Sequence, residues 1–152
     1  MIESILLELQ KIFQSNLDYF KKQSIIISEI ESDIEKIAVS MFPAMVIMPA
    51  GERMISNDNA NIKTFQRDVE IIYANHYLKS DTILFGDLKN KGIIKIENDI
   101  KKIISDNPTL NNMTDELVSY DLSVGILPNL EHFTIARKVL LTYKFVEVFR
   151  SF

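Results

Sequence analysis

Residues 135–149, IARKVLLTYKFVEVF, hold the pattern on which the fold turns. Val139, Leu141, Tyr143 and Phe145 recur at every second position, the repeat of a β-strand with one buried face. The intervening positions carry Lys138, Thr142 and Lys144, but also Leu140, Val146 and Val148. A sheet containing this strand therefore buries one face fully and leaves a second face that is apolar in patches.

The same alternation appears upstream. Over 64–77, Phe65, Val69, Ile71, Tyr73 and Tyr77 lie on one side and Gln66, Asp68, Glu70 and His76 on the other, with Ile72 and Ala74 giving the polar side an apolar end. Val118, Tyr120, Leu122, Val124 and Ile126 alternate with Ser119, Asp121, Ser123 and Gly125. Residues 44–48 form a short apolar run between Pro43 and Pro49, read as a strand covered on both faces, after which Ala50-Gly51-Glu52 turns the chain. Helical spacing governs other stretches. Ile2, Ile5, Leu6, Leu9, Ile12, Phe13, Leu17 and Phe20 make one stripe of an amphipathic helix over 2–20. A second long helix is predicted over 87–104, with Leu88, Ile96, Ile100 and Ile103 inward and Asn107-Pro108 ending it. Ser32-Asp33-Ile34-Glu35 fits a capping box opening a short helix through Met41, which Pro43 stops. Residues 23–30 read equally as a short strand or a helical turn. The sum is a single α+β domain over 1–152, with roughly four antiparallel strands and two main helices packed on one face.

Composition narrows the function. The 152 residues are 47% hydrophobic and 25% charged, an ordinary globular balance. Seventeen basic against 21 acidic residues give −4, which disfavours a protein devoted to gripping phosphate backbones. Absence of cysteine removes disulfides, thiolate metal sites and thiol nucleophiles, and four glycines leave no phosphate-cradling loop. No apolar run reaches the roughly 18 residues that span a membrane. Residues 1–20 lack a basic start and are interrupted by Glu3, Glu8, Gln10, Lys11 and Gln14, so a secretion signal is not expected and the product should stay in the cytoplasm or be built into something assembled there.

Candidate chemistry is thin. His76 and His132 are far apart in sequence and sit in no metalloprotease pattern, so surface or hydrogen-bonded roles are expected. Glu29, Glu31, Asp33 and Glu35 suggest paired carboxylates only if buried; the plainer reading is a solvated rim. The cluster Asn57-Asp58-Asn59-Ala60-Asn61 lacks the central glycine of a calcium loop and reads as a mobile turn. Lys89, Lys91, Lys95, Lys101 and Lys102 are diluted by Glu97, Asp99 and Asp106, and read as the outer face of a helix. No enzyme and no cofactor is expected. The second sheet face is the remaining clue: either residues 23–41 fold across Ile72 and Ala74, or Leu140, Val146 and Val148 await other copies of the chain.

The outline resembles the tail terminator and tail-completion proteins of long-tailed bacteriophages, the minor tail protein U type among them. The likeness rests on the N-terminal helix, the proline-bracketed run Phe42-Pro43-Ala44-Met45-Val46-Ile47-Met48-Pro49, and the strand opening near Arg67-Asp68-Val69-Glu70-Ile71. It extends to Asp106-Asn107-Pro108-Thr109-Leu110-Asn111-Asn112-Met113, similar to the family's d-P-t-L-g-G ending but with asparagines where glycines are common, and to the long final strand after Ala136-Arg137. The resemblance implies a structural protein forming a ring, commonly hexameric, without catalytic residues. Such a ring caps the tube of major tail protein, meets a head-completion or neck protein, and lets DNA pass without specific binding. It implies a place in the virion at the tail–neck junction, after assembly in the host cytoplasm. Contacts are then expected from Asn57, Asp58, Asn59 and Asn61, from Asn129, Glu131 and His132 in the turn 128–132, and from Leu140, Val146 and Val148. A neighbouring connector protein is the close alternative; a small cytoplasmic binding domain or an unrecognised hydrolase using His76 and the acidic rim is the distant one.

Overall fold

The computed structural model describes residues 1–57, 61–124, 130 and 132–149. Helix α1 (Ile2–Asn16) is followed by β1 (Ile25–Ile27), β2 (Ala44–Ser56), β3 (Ile62–His76), α2 (Ile93–Asp106), β4 (Glu116–Ser123) and β5 (Thr134–Val148). The strands form one five-stranded sheet in the order β1-β2-β3-β5-β4. The expected α+β layering is present, but the sheet is larger than four strands and is mixed. The extra strand is the ambiguous Ile25-Ile26-Ile27, which runs parallel to β2 with Ile25 opposite Met45 and Ile27 opposite Ile47.

That parallel pair explains the rest of the N-terminal third. Adjacent parallel strands need a crossover over one sheet face. Helices α1 and α2 occupy the first face, packing Ile5, Leu9, Phe13, Ile96 and Ile100 on Met45, Ile47, Val69, Ile71, Tyr73, Val139, Leu141 and Tyr143. The connection from β1 to β2 crosses the second face as a strap, and its residue Ile34 is fully buried with Ala44, Val46, Ile72, Ala74 and Ala136. The Ile72–Ala74 end of that face is thus covered by the chain's own segment rather than left open. Lys138 of β5 clamps the strap, its ammonium 3.1 Å from Glu31 and 2.9 Å from Glu70. The hydrogen bond to Glu70 raises the lysine pKa, burial opposes the rise, and Glu31 adds to it.

Several local expectations shift for physical reasons. The stretch expected to be a short capped helix is instead 3-10 turns, Glu31–Lys36 and Val39–Met41, with no side-chain cap; Asp33 accepts from the Ser28 hydroxyl at 2.5 Å. Helix α1 stops at Asn16, whose side-chain amide donates to the Ile12 carbonyl at 2.8 Å, although Leu17 and Phe20 remain buried. The Ala50-Gly51-Glu52 turn is a bulge: pairing shifts between Pro49 and Glu52, and β2 continues to Ser56. Proline is tolerated there because β1 flanks β2 only at Met45–Ile47, leaving Pro49 on a sheet edge. An irregularity in β4 between Leu117 and Ser119 turns Val118 outward, so Leu117 and Tyr120 pack against the core while Val118 is exposed. After α2, Leu110, Asn111 and Asn112 have φ of 47°, 57° and 66°. Asparagine is among the residues that best tolerate this left-handed region, which suits it to a position where glycine would also fit.

Candidate functional site

β3 and β5 each contain 15 residues, about 50 Å of extended chain, whereas α1 with the same number spans about 22 Å. The helices therefore cannot cover the whole sheet. Among the described residues the helix-covered core ends at Val69 on β3 and Tyr143 on β5. Beyond it β2, β3 and β5 continue as a three-stranded extension. On its first face Phe65 stacks on Phe145 with ring centroids 5.7 Å apart, and the Phe149 edge lies 6.2 Å from Phe65. Phe145 is thereby buried, as Tyr143 is, matching the core role expected of both. On its second face Ile62 pairs with Val148 and Thr64 with Val146. Met54, Ile55, Ile62, Val146 and Phe149 are exposed, and Val148 is 66% exposed.

A polar band separates this apolar tip from the strap. Arg53 donates to Gln66 at 3.0 Å and to Asp68 at 3.1 Å, and the Thr142 hydroxyl donates to Asp68 at 2.7 Å. Burial pushes the Asp68 pKa up, but the bonds from Thr142 and Arg53 and the charges of Arg53 and Arg67 outweigh it and hold the carboxyl below its usual range. Leu140 lies beside this band, opposite Glu70 and Asp121, and is half-buried.

A second apolar surface stands at the other end of β3, in the loop from Tyr77 to Gly92. Its backbone is held tightly. Asp87 accepts from the amides of Lys89 and Asn90, Gly86 pairs with Lys91, and Asn90 donates to the His76 carbonyl while accepting from buried Asn75 at 2.8 Å. The buried Tyr77 hydroxyl donates to the Lys91 carbonyl at 2.8 Å. Gly86 has φ +73°, and a Cβ there would lie 2.3 Å from the Asn90 carbonyl oxygen, so only glycine closes this turn. Carbonyls of Ile83 and Leu84 receive the first amides of α2. Yet this ordered loop turns Leu78 (87% exposed), Phe85 (80%), Leu84 and a fully exposed Leu88 to solvent. Taking roughly 150 Å² for a large side chain, the lower end of the aromatic range, their exposures sum to on the order of 500 Å². Beside them lies a cleft of about 480 Å³ lined by Leu78, Lys79, Asp81, Thr82, Asp87, Lys89 and Asn90. Leu88 was expected on the inner face of the second helix. The helix begins at Ile93 because Gly86 and Asp87 bend the chain first, and Leu88 sits on the outside of that bend. Only Leu88 carried a periodic signal, and it pointed to the helix; Gly86 and Gly92 on either side of it were the available hint of a bend.

His76 is half-buried, its Nδ1 2.7 Å from the Thr134 hydroxyl. The register sets it apart from Lys138, where Glu31 is held, with the Ala74–Ala136 pair between them. His132, Asn57 and Asn61 are exposed, and Asn61 accepts the Phe149 amide at 2.6 Å, next to the apolar tip. Asp58, Asn59, Asn129 and Glu131 lie outside the described residues. Lys95 and Lys102 pair with Asp99 and Asp106 along α2 at 2.8 and 2.7 Å, and they line a mixed-charge cleft with Tyr19, whose hydroxyl donates to Asp99 at 2.6 Å. Among the described residues no three histidine, aspartate or glutamate side chains converge to hold a metal ion, and no helix is long and apolar enough to cross a membrane. The chain matches no protein-family model and no curated protein.

Proposed function

We propose that this chain is a structural ring protein of the tail-terminator type, which self-associates, caps a tail tube and presents its other side to the neck of a phage or prophage particle. The observation that carries self-association is the ordered loop with Leu78, Phe85 and Leu88 held in water. Fixing a loop costs conformational entropy, and here the large side chains recover no burial in return. Exposed apolar area of a few hundred Å² is of the order that marks an interaction surface. The strand extension adds a second such surface. The outline shared with tail-terminator proteins and the acidic net charge, which weakens phosphate contacts inside a pore, support the more specific role. The work is steric: one ring face fits the last tube subunits, and the opposite face offers no site for another. Light scattering coupled to gel filtration, followed by electron microscopy, should show a closed ring, commonly six-fold in such proteins. Added below stoichiometry to polymerising tail tube protein, that ring should shorten the tubes. A persistent monomer at high concentration would refute the assembly, and undiminished tube growth would refute the capping role.

A further inference from the structure

We infer that the ring contact joins unlike surfaces: the Tyr77–Gly92 loop of one copy seats on the β2–β3–β5 extension of the next. The inference rests on the self-associating ring proposed above and says which parts of the chain make it. The two apolar surfaces stand at opposite ends of β3, about 50 Å apart along a 15-residue strand. A two-fold dimer pairs a patch with itself, so either surface used alone leaves the other in water. A head-to-tail contact covers both with one type of interface, and repeating it through a closing rotation makes a ring.

The areas are of the right order. A specific interface buries roughly 800 Å² per partner. The loop's apolar area supplies more than half of that before any rim is counted. The loop surface borders a concave cleft walled by Leu78, and the extension supplies narrow strand ends carrying Ile62 and Val148 to fill it. Both rims hold both signs of charge, Lys79, Asp81, Asp87 and Lys89 around the cleft and Lys63 and Glu147 beside the extension, so no like-charge field opposes docking. Each side is already ordered by its own hydrogen bonds, which lowers the entropic cost of docking.

Paired substitutions test the arrangement. Leu88→Asp spoils the loop and Val148→Asp spoils the extension, both at exposed positions. The wild type should run as a ring and each variant alone as a monomer. An equimolar mixture should form a dimer and nothing larger, because one intact loop can meet one intact extension. Phe85→Ser with Ile62→Thr provides an independent pair, and unchanged circular dichroism checks folding. A ring persisting in Val148→Asp, or a mixture that stays monomeric while wild type assembles, overturns the loop-to-extension contact and leaves the ring reading standing. A monomeric wild type defeats the ring itself.

Discussion

All five tyrosines, Tyr19, Tyr73, Tyr77, Tyr120 and Tyr143, are held neutral by their surroundings, and burial is the largest cause for each. The hydrogen bond to Asp99 adds to the effect on Tyr19, and the Glu97 charge adds to it on Tyr73 and Tyr120. Tyr77 is pushed up to about 12, with the Asn75 bond and the Arg137 charge pulling the other way. In an unfolded chain these phenols ionise near 10. Above that pH the unfolded state therefore binds fewer protons than the folded state, and stability falls as pH rises. The tyrosine contribution is intact below about pH 10 and is lost as the pH climbs toward the raised folded values. Tyr19, Tyr73, Tyr77 and Tyr143 should give no tyrosinate absorbance in the native protein where free phenols already ionise, and should ionise together with loss of the circular dichroism signal. A gradual titration of any of these four near pH 10 would show that its burial is wrong. At this scale the sequence was readable in β3 and β5, where Tyr73 and Tyr143 share a parity with Val69 and Leu141 and that parity is the helix-covered face; in β4 the equally regular alternation misled, because the irregularity after Leu117 turns Val118 outward. Leu88 was misread because its spacing to Ile96 suits a helix, and nothing local says that the helix starts later.

Among the elements, the strap between β1 and β2 decides how much of the second face is left for partners. Ile34 is its single fully buried side chain, packed on Val46, Ile72 and Ala136. Removing the side chain beyond Cβ leaves a void between strap and sheet that the 3-10 turn cannot close, since Lys138 holds Glu31 and Asp33 holds Ser28. Ile34→Ala should cost about 3 kcal/mol in chemical denaturation. A loss under about 1 kcal/mol would mean that the strap is loosely docked and that the second face opens readily. The long strands and the α1 stripe could be read from sequence because their signals are local and repeated. The strap could not. Whether Ile25-Ile26-Ile27 pairs with Met45–Ile47 is a long-range matter, and only that parallel pairing forces the crossover that buries Ile34. The bulge at Pro49–Glu52 was hidden for a related reason: Ala50-Gly51 looks like a turn until β3 is seen running on past it from Val69 to Ile62.

For the molecule as a whole, the proposed self-association would tie stability to concentration. A partner copy that binds the folded chain but not the unfolded one stabilises it by mass action. If the loop and extension surfaces meet in a ring, the melting temperature should rise steadily as wild-type protein is concentrated. Leu88→Asp should melt at a temperature independent of concentration, and at high dilution the two proteins should converge, because the substituted side chain touches solvent in the free subunit. Salt sharpens the test. The net charge is only −4 and the rims mix signs, so the proposed assembly would rest on apolar burial, which salt screens little. The concentration dependence should thus survive molar sodium chloride. Were it to vanish there, ion pairs such as those available to Lys79, Asp81, Lys63 and Glu147 would be the main glue. Were it absent in dilute buffer as well, Leu78, Phe85 and Leu88 would have to serve a partner other than this chain.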